Sequence, residues 1–351
     1  MHIFGNLKNI HPMLPKIIAC LPLLLSTLCA AQEIDSVEFN KKKNRREQNY
    51  LFLQQTLNYS PLSYASPPFF DLGSPKNWYV LSGDIIPQFV IGGDKLPFAI
   101  HITPRYMVRM FHNNKVQGDS SLPVRTPSYM PGATIYFRNG RADDSVRKIF
   151  YTSLSVFHHS NGQDGREFVN GKINTYNGNF STNYIEPAFH FRIRNKFVNV
   201  FKNTKSYQPQ DYFNFYVRIG YEHHFYTVQA LKSSYGNERI NLTLGFIEVL
   251  RRLHRYYKNS FYKERNRLVF NTTFIAGARD QGLGVFQKRI NFNLNYYWRI
   301  PSSPNTALML AGGYYGSDPY NIYYMQSYWF VRAGLAFGFF ISPNKNRNLD
   351  N

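Results

Sequence analysis

From Ile290 the chain reads Ile-Asn-Phe-Asn-Leu-Asn-Tyr-Tyr-Trp-Arg. Ile290, Phe292, Leu294, Tyr296 and Trp298 therefore fall on one side of an extended backbone, and Asn291, Asn293, Asn295 and Arg299 on the other. The same period of two sets Phe213, Phe215, Val217, Ile219 and Tyr221 against Asn214, Arg218 and Glu222. Near the C-terminus, Trp329, Val331, Ala333, Leu335, Phe337, Phe339 and Ile341 oppose Tyr328, Arg332, Gly334, Ala336 and Gly338. Strands of about 10 residues with one wholly apolar face and one polar or small face suit a barrel wall with lipid outside and a polar interior. A sheet in lipid has to close on itself, because an open edge would leave backbone groups unpaired in hydrocarbon.

The pattern predicts roughly 12 strands, at 50–58, 78–90, 98–112, 131–138, 148–160, 183–194, 211–225, 239–250, 266–278, 288–299, 305–316 and 327–341. The fold class is thus all-β, a 12-stranded antiparallel transmembrane β-barrel. Connectors alternate between short (GGDKLP, IPSSPN) and longer (113–130, 161–182), as in bacterial outer-membrane barrels; those near 195–210 and 251–265 are longer than that rule expects. Composition agrees: 27 Tyr and 30 Phe coexist with a negative mean hydropathy, and no run after the N-terminus approaches the roughly 20 apolar residues of a spanning helix.

Before the barrel, Lys8 and Lys16 precede IIACLPLLLSTLCAA with no acid among them, the layout of a secretory signal peptide over residues 1–31. Cys20 and Cys29 both lie in that segment, so the mature chain is expected to carry no thiol chemistry. Residues 32–49, with KKKNRREQ, read as a basic periplasmic arm, 50–341 as the barrel and 342–351 as a C-terminal tail. The formal charge is +20, or +18 without Lys8 and Lys16. For an exported barrel that balance points to phosphate-rich lipid headgroups and not to nucleic acid.

Within KIFYTSLSVFHHSNG, Phe150, Leu154 and Val156 share parity with His158 and Ser160, whereas Tyr151, Ser153, Ser155 and His159 share the other. His158 and Ser160 are therefore expected to face lipid at the end of an outward-running strand, with His159 in the lumen. Side chains two apart on a strand stand side by side, so the imidazole can act as base to the hydroxyl. Gly162 ends the strand and frees backbone N–H groups where an oxyanion would form. On the next strand Asn183 shares parity with Ile185, Phe189, Phe191 and Ile193 and can fix the histidine tautomer; Asn174, Asn177 and Asn179 compete for that role. Because an amide cannot offset an imidazolium as a carboxylate would, such a site needs further positive potential, for which a divalent cation is the usual source.

At these residues the chain resembles the outer-membrane phospholipase A family. His158-His159-Ser160-Asn161-Gly162-Gln163 is similar to its H-x-S-N-G-[QR] signature, and Ser181-Thr182-Asn183 to its S-W-N, whose Asn completes the triad. Ser121-Leu122-Pro123-Val124-Arg125, followed by Tyr129 and Pro131, is similar to a stretch whose serine ligates calcium across a dimer interface. The resemblance implies a Ca2+-dependent phospholipase of the A1/A2 and lysophospholipase type. It implies calcium ligands at Ser121, the Gln163 backbone and Asn179, a homodimer when active, and a site at the outer leaflet of the bacterial outer membrane. Asn179 stands where the family has a serine, the interval from Ser160 to Asn183 is longer than the family's, and ten residues follow Ile341. Two other readings compete: a lipid A deacylase-like barrel, which would pair its histidine with an acid, and a non-enzymatic porin or structural barrel, which would have an open lumen.

Overall fold

The computed structural model describes residues 45, 48–49, 52–53, 55–67, 79–93, 95–111, 124, 127–140, 148–196, 212–232, 234–249, 264–277, 288–300, 303, 305–338 and 340–341. The described residues from 48 onward belong to one compact unit, Arg46–Asn351. The expected leader (1–31), the tail (342–351) and most of the basic arm lie outside the described residues.

The wall is built from β1 (Ser63–Ser66), β2 (Tyr79–Ile85), β3 (Gln88–Ile91), β4 (Phe98–Phe111), β5 (Ser128–Arg138), β6 (Lys148–Ser160), and, after a small hairpin of β7 (Phe168–Val169) and β8 (Lys172–Ile173), β9 (Ser181–Lys196). It continues with β10 (Tyr212–Phe225), β11 (Glu238–Val249), β12 (Glu264–Ala276), β13 (Ile290–Arg299), β14 (Thr306–Tyr315), β15 (Tyr328–Phe337) and β16 (Phe340–Ile341). Neighbouring strands pair antiparallel in sequence order, with β6 running directly to β9, and β1 pairs with both β2 and β15, which closes the ring. Since β2 and β3 share one wall position and β16 extends β15, the ring is a closed 12-stranded antiparallel barrel. Its seam has one parallel patch. β1 is four residues long, so beyond its end Phe340 and Ile341 reach Gln88 and Phe89 directly, and β15 and β2 already run the same way because each is antiparallel to β1.

The first wall strand differs from the pattern-based expectation. Of residues 50–58, those described are helical, and the wall begins at Ser63 instead. Gln48, Asn49, Phe52, Leu53, Thr56, Leu57 and Ser60 are all buried, a spacing of three and four that matches a helix and not a strand. Phe52, Leu53 and Leu57 pack with Val90, Ala99, Ile149, Tyr151 and Tyr216, all contributed by the barrel wall. Thr56 Oγ1 lies 3.0 Å from His101 Nε2, and Arg267 donates to the carbonyls of Asn58 (2.6 Å) and Ser60 (3.1 Å), a cation where a helix C-terminus presents its orphan carbonyls. The lumen is therefore packed.

Polarity runs inside out. Leu310, Val331, Ile219, Ile240 and Trp329 are between 50% and 64% exposed on the outside, whereas Arg109, His190, Arg192, Arg267, Arg299 and Arg332 are buried within. Charge pairs line that interior: the buried Arg109 donates to both Asp318 oxygens at 2.7 and 2.9 Å, and the partly buried Arg105 and Arg218 bind Asp84 and Glu186. No described helix is long and apolar enough to cross a membrane, which says nothing of a β-barrel, whose crossing elements are strands.

Candidate active site

Strand β6 presents Phe150, Leu154 and Val156 outward at 42%, 37% and 49% exposure and buries Tyr151, Ser153, Ser155 and His159. His158 and Ser160 continue the outward series at the strand's last turn of the pleat and are partly exposed. In the ladder with β9, His158 is the partner of Asn183 and Ser160 the partner of Ser181. His158 Nδ1 donates to Asn183 Oδ1 at 2.8 Å, which leaves Nε2 as the ring's acceptor. Asn183 thus shares the outer face with His158 and Ser160.

Among the described residues no hydrogen bond joins His158 Nε2 to Ser160 Oγ. Their Cα atoms are separated by about 6–7 Å, as for any i, i+2 pair on a strand, so the two side chains stand next to each other on one face.

The chain just past Ser160 is held firmly. Asn161 is buried; its N–H donates to the Phe180 carbonyl (3.2 Å), its Nδ2 to the Gly178 carbonyl (2.8 Å), and its Oδ1 accepts from the Phe180 N–H (3.0 Å). It clamps the two legs of the 161–180 loop at the point where each enters a strand. Gly162 follows at φ 66°, a conformation that costs a side-chain-bearing residue about 1–2 kcal/mol. A Cβ there would also come within 2.9 Å of the Tyr129 ring, on the strand whose Tyr129 pairs with Ser160. The N–H groups of Gly162 and Gln163 donate to no acceptor among the described residues, so they are available as anion-binding donors beside Ser160. Sequence reasoning gave Asn161 no separate task, although it stands inside the quoted signature.

The residues expected to ligate a cation are less fully assembled. Ser121 lies outside the described residues. Gln163 and Asn179 are partly exposed on facing legs of the loop, where the Asn179 N–H donates to the Gly165 carbonyl (2.9 Å). Their oxygens are of the hard type that calcium prefers, but neither carries charge, and among the described residues no group of three or more His, Cys, Asp or Glu could hold a metal. In donor type these residues fit a hard cation and supply only part of a shell.

No protein-family model matches the sequence, and no curated protein matches it. Among solved structures the chain is similar to outer membrane phospholipase A from Escherichia coli, with 10% identity, a TM-score of 0.49, and 83% of this chain and 98% of that one covered. It is similar also to the Salmonella typhi outer membrane phospholipase dimer with bound calcium, with 11% identity, a TM-score of 0.49, and coverage of 83% and 98%.

Proposed function

We propose that this barrel hydrolyses acyl esters of phospholipids at the outer leaflet of a bacterial outer membrane, with Ser160 as nucleophile, His158 as base and Asn183 as the residue that holds the ring. The observation that carries this reading is the 2.8 Å bond from His158 Nδ1 to Asn183 Oδ1 on the lipid side of the wall, with a serine two residues further along the same face. A histidine held through Nδ1 has its Nε2 lone pair directed away from the tie and free to take a proton.

In this reading Nε2 removes the proton from Ser160 Oγ as that oxygen attacks the ester carbonyl. The Gly162 and Gln163 N–H groups receive the developing oxyanion. His158 then returns the proton to the departing lysophospholipid oxygen, and water releases the fatty acid by the reverse sequence. Ser121, the Gln163 main chain and Asn179 would hold a Ca2+ ion, whose charge would add to oxyanion stabilisation. The resemblance to the phospholipase family supports a homodimer as the active form, in which a second copy of the chain would complete the shell that these ligands fill only in part. Substrate reaches an outward-facing site by lateral diffusion in the bilayer, so no deep pocket is required.

An amide partner for His158, where a lipid A deacylase would have an acid, and a packed lumen, where a porin would have a channel, both favour the phospholipase reading. The test is fatty-acid release from micellar phospholipid by purified, refolded protein, with Ca2+ and then with chelator. Release that stops on chelation and in Ser160→Ala is the expected result; undiminished release by Ser160→Ala removes the assignment.

A further inference from the structure

Opposite the 161–180 loop, the segment between β14 and β15 folds back into the barrel mouth. Ser317, Asp318, Tyr320, Asn321, Ile322, Tyr323 and Tyr324 are all buried. The fold-back is braced by the Arg109–Asp318 pair, by Asp318 Oδ1 accepting from the Tyr320 N–H (2.9 Å), and by the Arg109 guanidinium 3.9 Å above the Tyr320 ring. At its tip Asn321, fully buried in a single 3-10 turn, sends its Nδ2 to two main-chain carbonyls: Phe180 at 2.7 Å and His159 at 3.3 Å.

His159 is the residue between His158 and Ser160. Its carbonyl belongs to the peptide plane that joins it to Ser160, and the Phe180 carbonyl belongs to the plane entering Ser181, the ladder partner of Ser160. One amide therefore holds both backbones at the level of the nucleophile. Its own Oδ1 finds no partner among the described residues. A buried, unpartnered acceptor is destabilising, so an apolar residue of the same shape would serve packing alone at least as well. We infer that Asn321 is a positioning residue for Ser160, acting through the His159 and Phe180 carbonyls to fix the peptide plane from which the hydroxyl projects toward His158. The inference rests on the hydrolase reading given above. It assigns to a distant loop, 161 residues along the chain from Ser160, control over the angle at which the nucleophile is presented.

The test uses Asn321→Asp, which keeps the shape and replaces the donors by a carboxylate oxygen facing the two carbonyls, and Asn321→Ser, which is shorter, adds no charge and retains one donor. Each is refolded as the full chain, and rates are expressed per folded barrel, counted by heat-modifiable gel mobility. For Asn321→Asp the expected result is a kcat lower by about 10- to 100-fold, the scale on which small misplacements of reacting groups act, with KM changed by less than about twofold. Asn321→Ser should fall between Asn321→Asp and the wild type. A purely structural residue would lower the folded fraction and leave the rate per folded barrel unchanged; that outcome overturns the inference while leaving the hydrolase reading intact. Absence of Ser160-dependent hydrolysis in the wild type overturns the hydrolase reading and this inference with it.

Discussion

Two serine–histidine pairs lie on the adjoining strands β5 and β6 and differ in almost every respect. Ser128 and His159 are in direct hydrogen bond, Oγ to Nε2, inside the lumen, with 0% and 4% exposure. Ser160 and His158 are unbonded on the outside, and the ring is tied instead to Asn183. The inner pair is one of a set: Ser153 with His190 at 2.8 Å and Thr182 with His224 at 3.1 Å are likewise buried hydroxyl–imidazole contacts. Contact between hydroxyl and imidazole is therefore common in this molecule and marks a satisfied interior. Partial exposure, a partner on Nδ1 and nearby N–H groups that meet no acceptor among the described residues are what separate the outer pair from the rest.

The largest effect should come from exchanging the fates of the two serines. Ser160→Ala or His158→Ala should lower fatty-acid release by about 1,000-fold or more, as removal of a nucleophile or base does in serine hydrolases, while Ser128→Ala should leave the rate per folded barrel within about threefold. Loss of activity in Ser128→Ala together with retention in Ser160→Ala would invert the comparison and end it.

Asn183→Ala should act next most strongly. It leaves Ser160 and His158 in place but frees the ring to turn and to populate the wrong tautomer, for a kcat loss of about 10- to 100-fold, below the ~10,000-fold that the wrong tautomer costs where a carboxylate also supplies charge. Gly162→Ala should be milder. A Cβ at φ 66° costs about 1–2 kcal/mol and meets Tyr129, which corresponds to a rate lower by about 5- to 30-fold if all of it is expressed in the transition state. Steady-state assays at saturating phospholipid, per folded barrel, check both.

The outward series on β6 is legible from parity because one face of a barrel strand is uniformly apolar: β6 was readable as 148–160 and is Lys148–Ser160. By the same reasoning His159 belongs to the lumen, where it is buried. Parity carries no information about register. Which residue of β9 lies opposite His158 depends on the 161–180 loop, which contains its own hairpin around Asn170 and Gly171 and a bridge between Gly165 and Gly178, and such lengths are not derivable from alternation. Parity was also misleading at 50–58, where a short run mixing Phe52, Leu53 and Leu57 with Gln54, Gln55 and Thr56 fits either period until burial of Gln48, Asn49 and Ser60 extends the helical one. Asn321 sits in a tyrosine-rich stretch with no pattern to distinguish it; its placement is tertiary.

The smallest effect completes the comparison from the inner side. Ser128→Ala removes the Ser128 hydroxyl and leaves His159 Nε2 facing a buried methyl, with no solvent to replace the lost bond. An unsatisfied buried polar nitrogen costs about 1–3 kcal/mol, so the barrel should unfold at lower urea concentration than the wild type. Ser160→Ala, partly exposed and with no hydrogen bond to lose among the described residues, should unfold at the wild-type midpoint. The two substitutions are chemically identical and lie opposite in consequence: one removes stability and keeps the rate, the other removes the rate and keeps stability. Equal unfolding midpoints for both would mean that the interior contact is not a stabilising one, and that burial alone does not distinguish the two pairs.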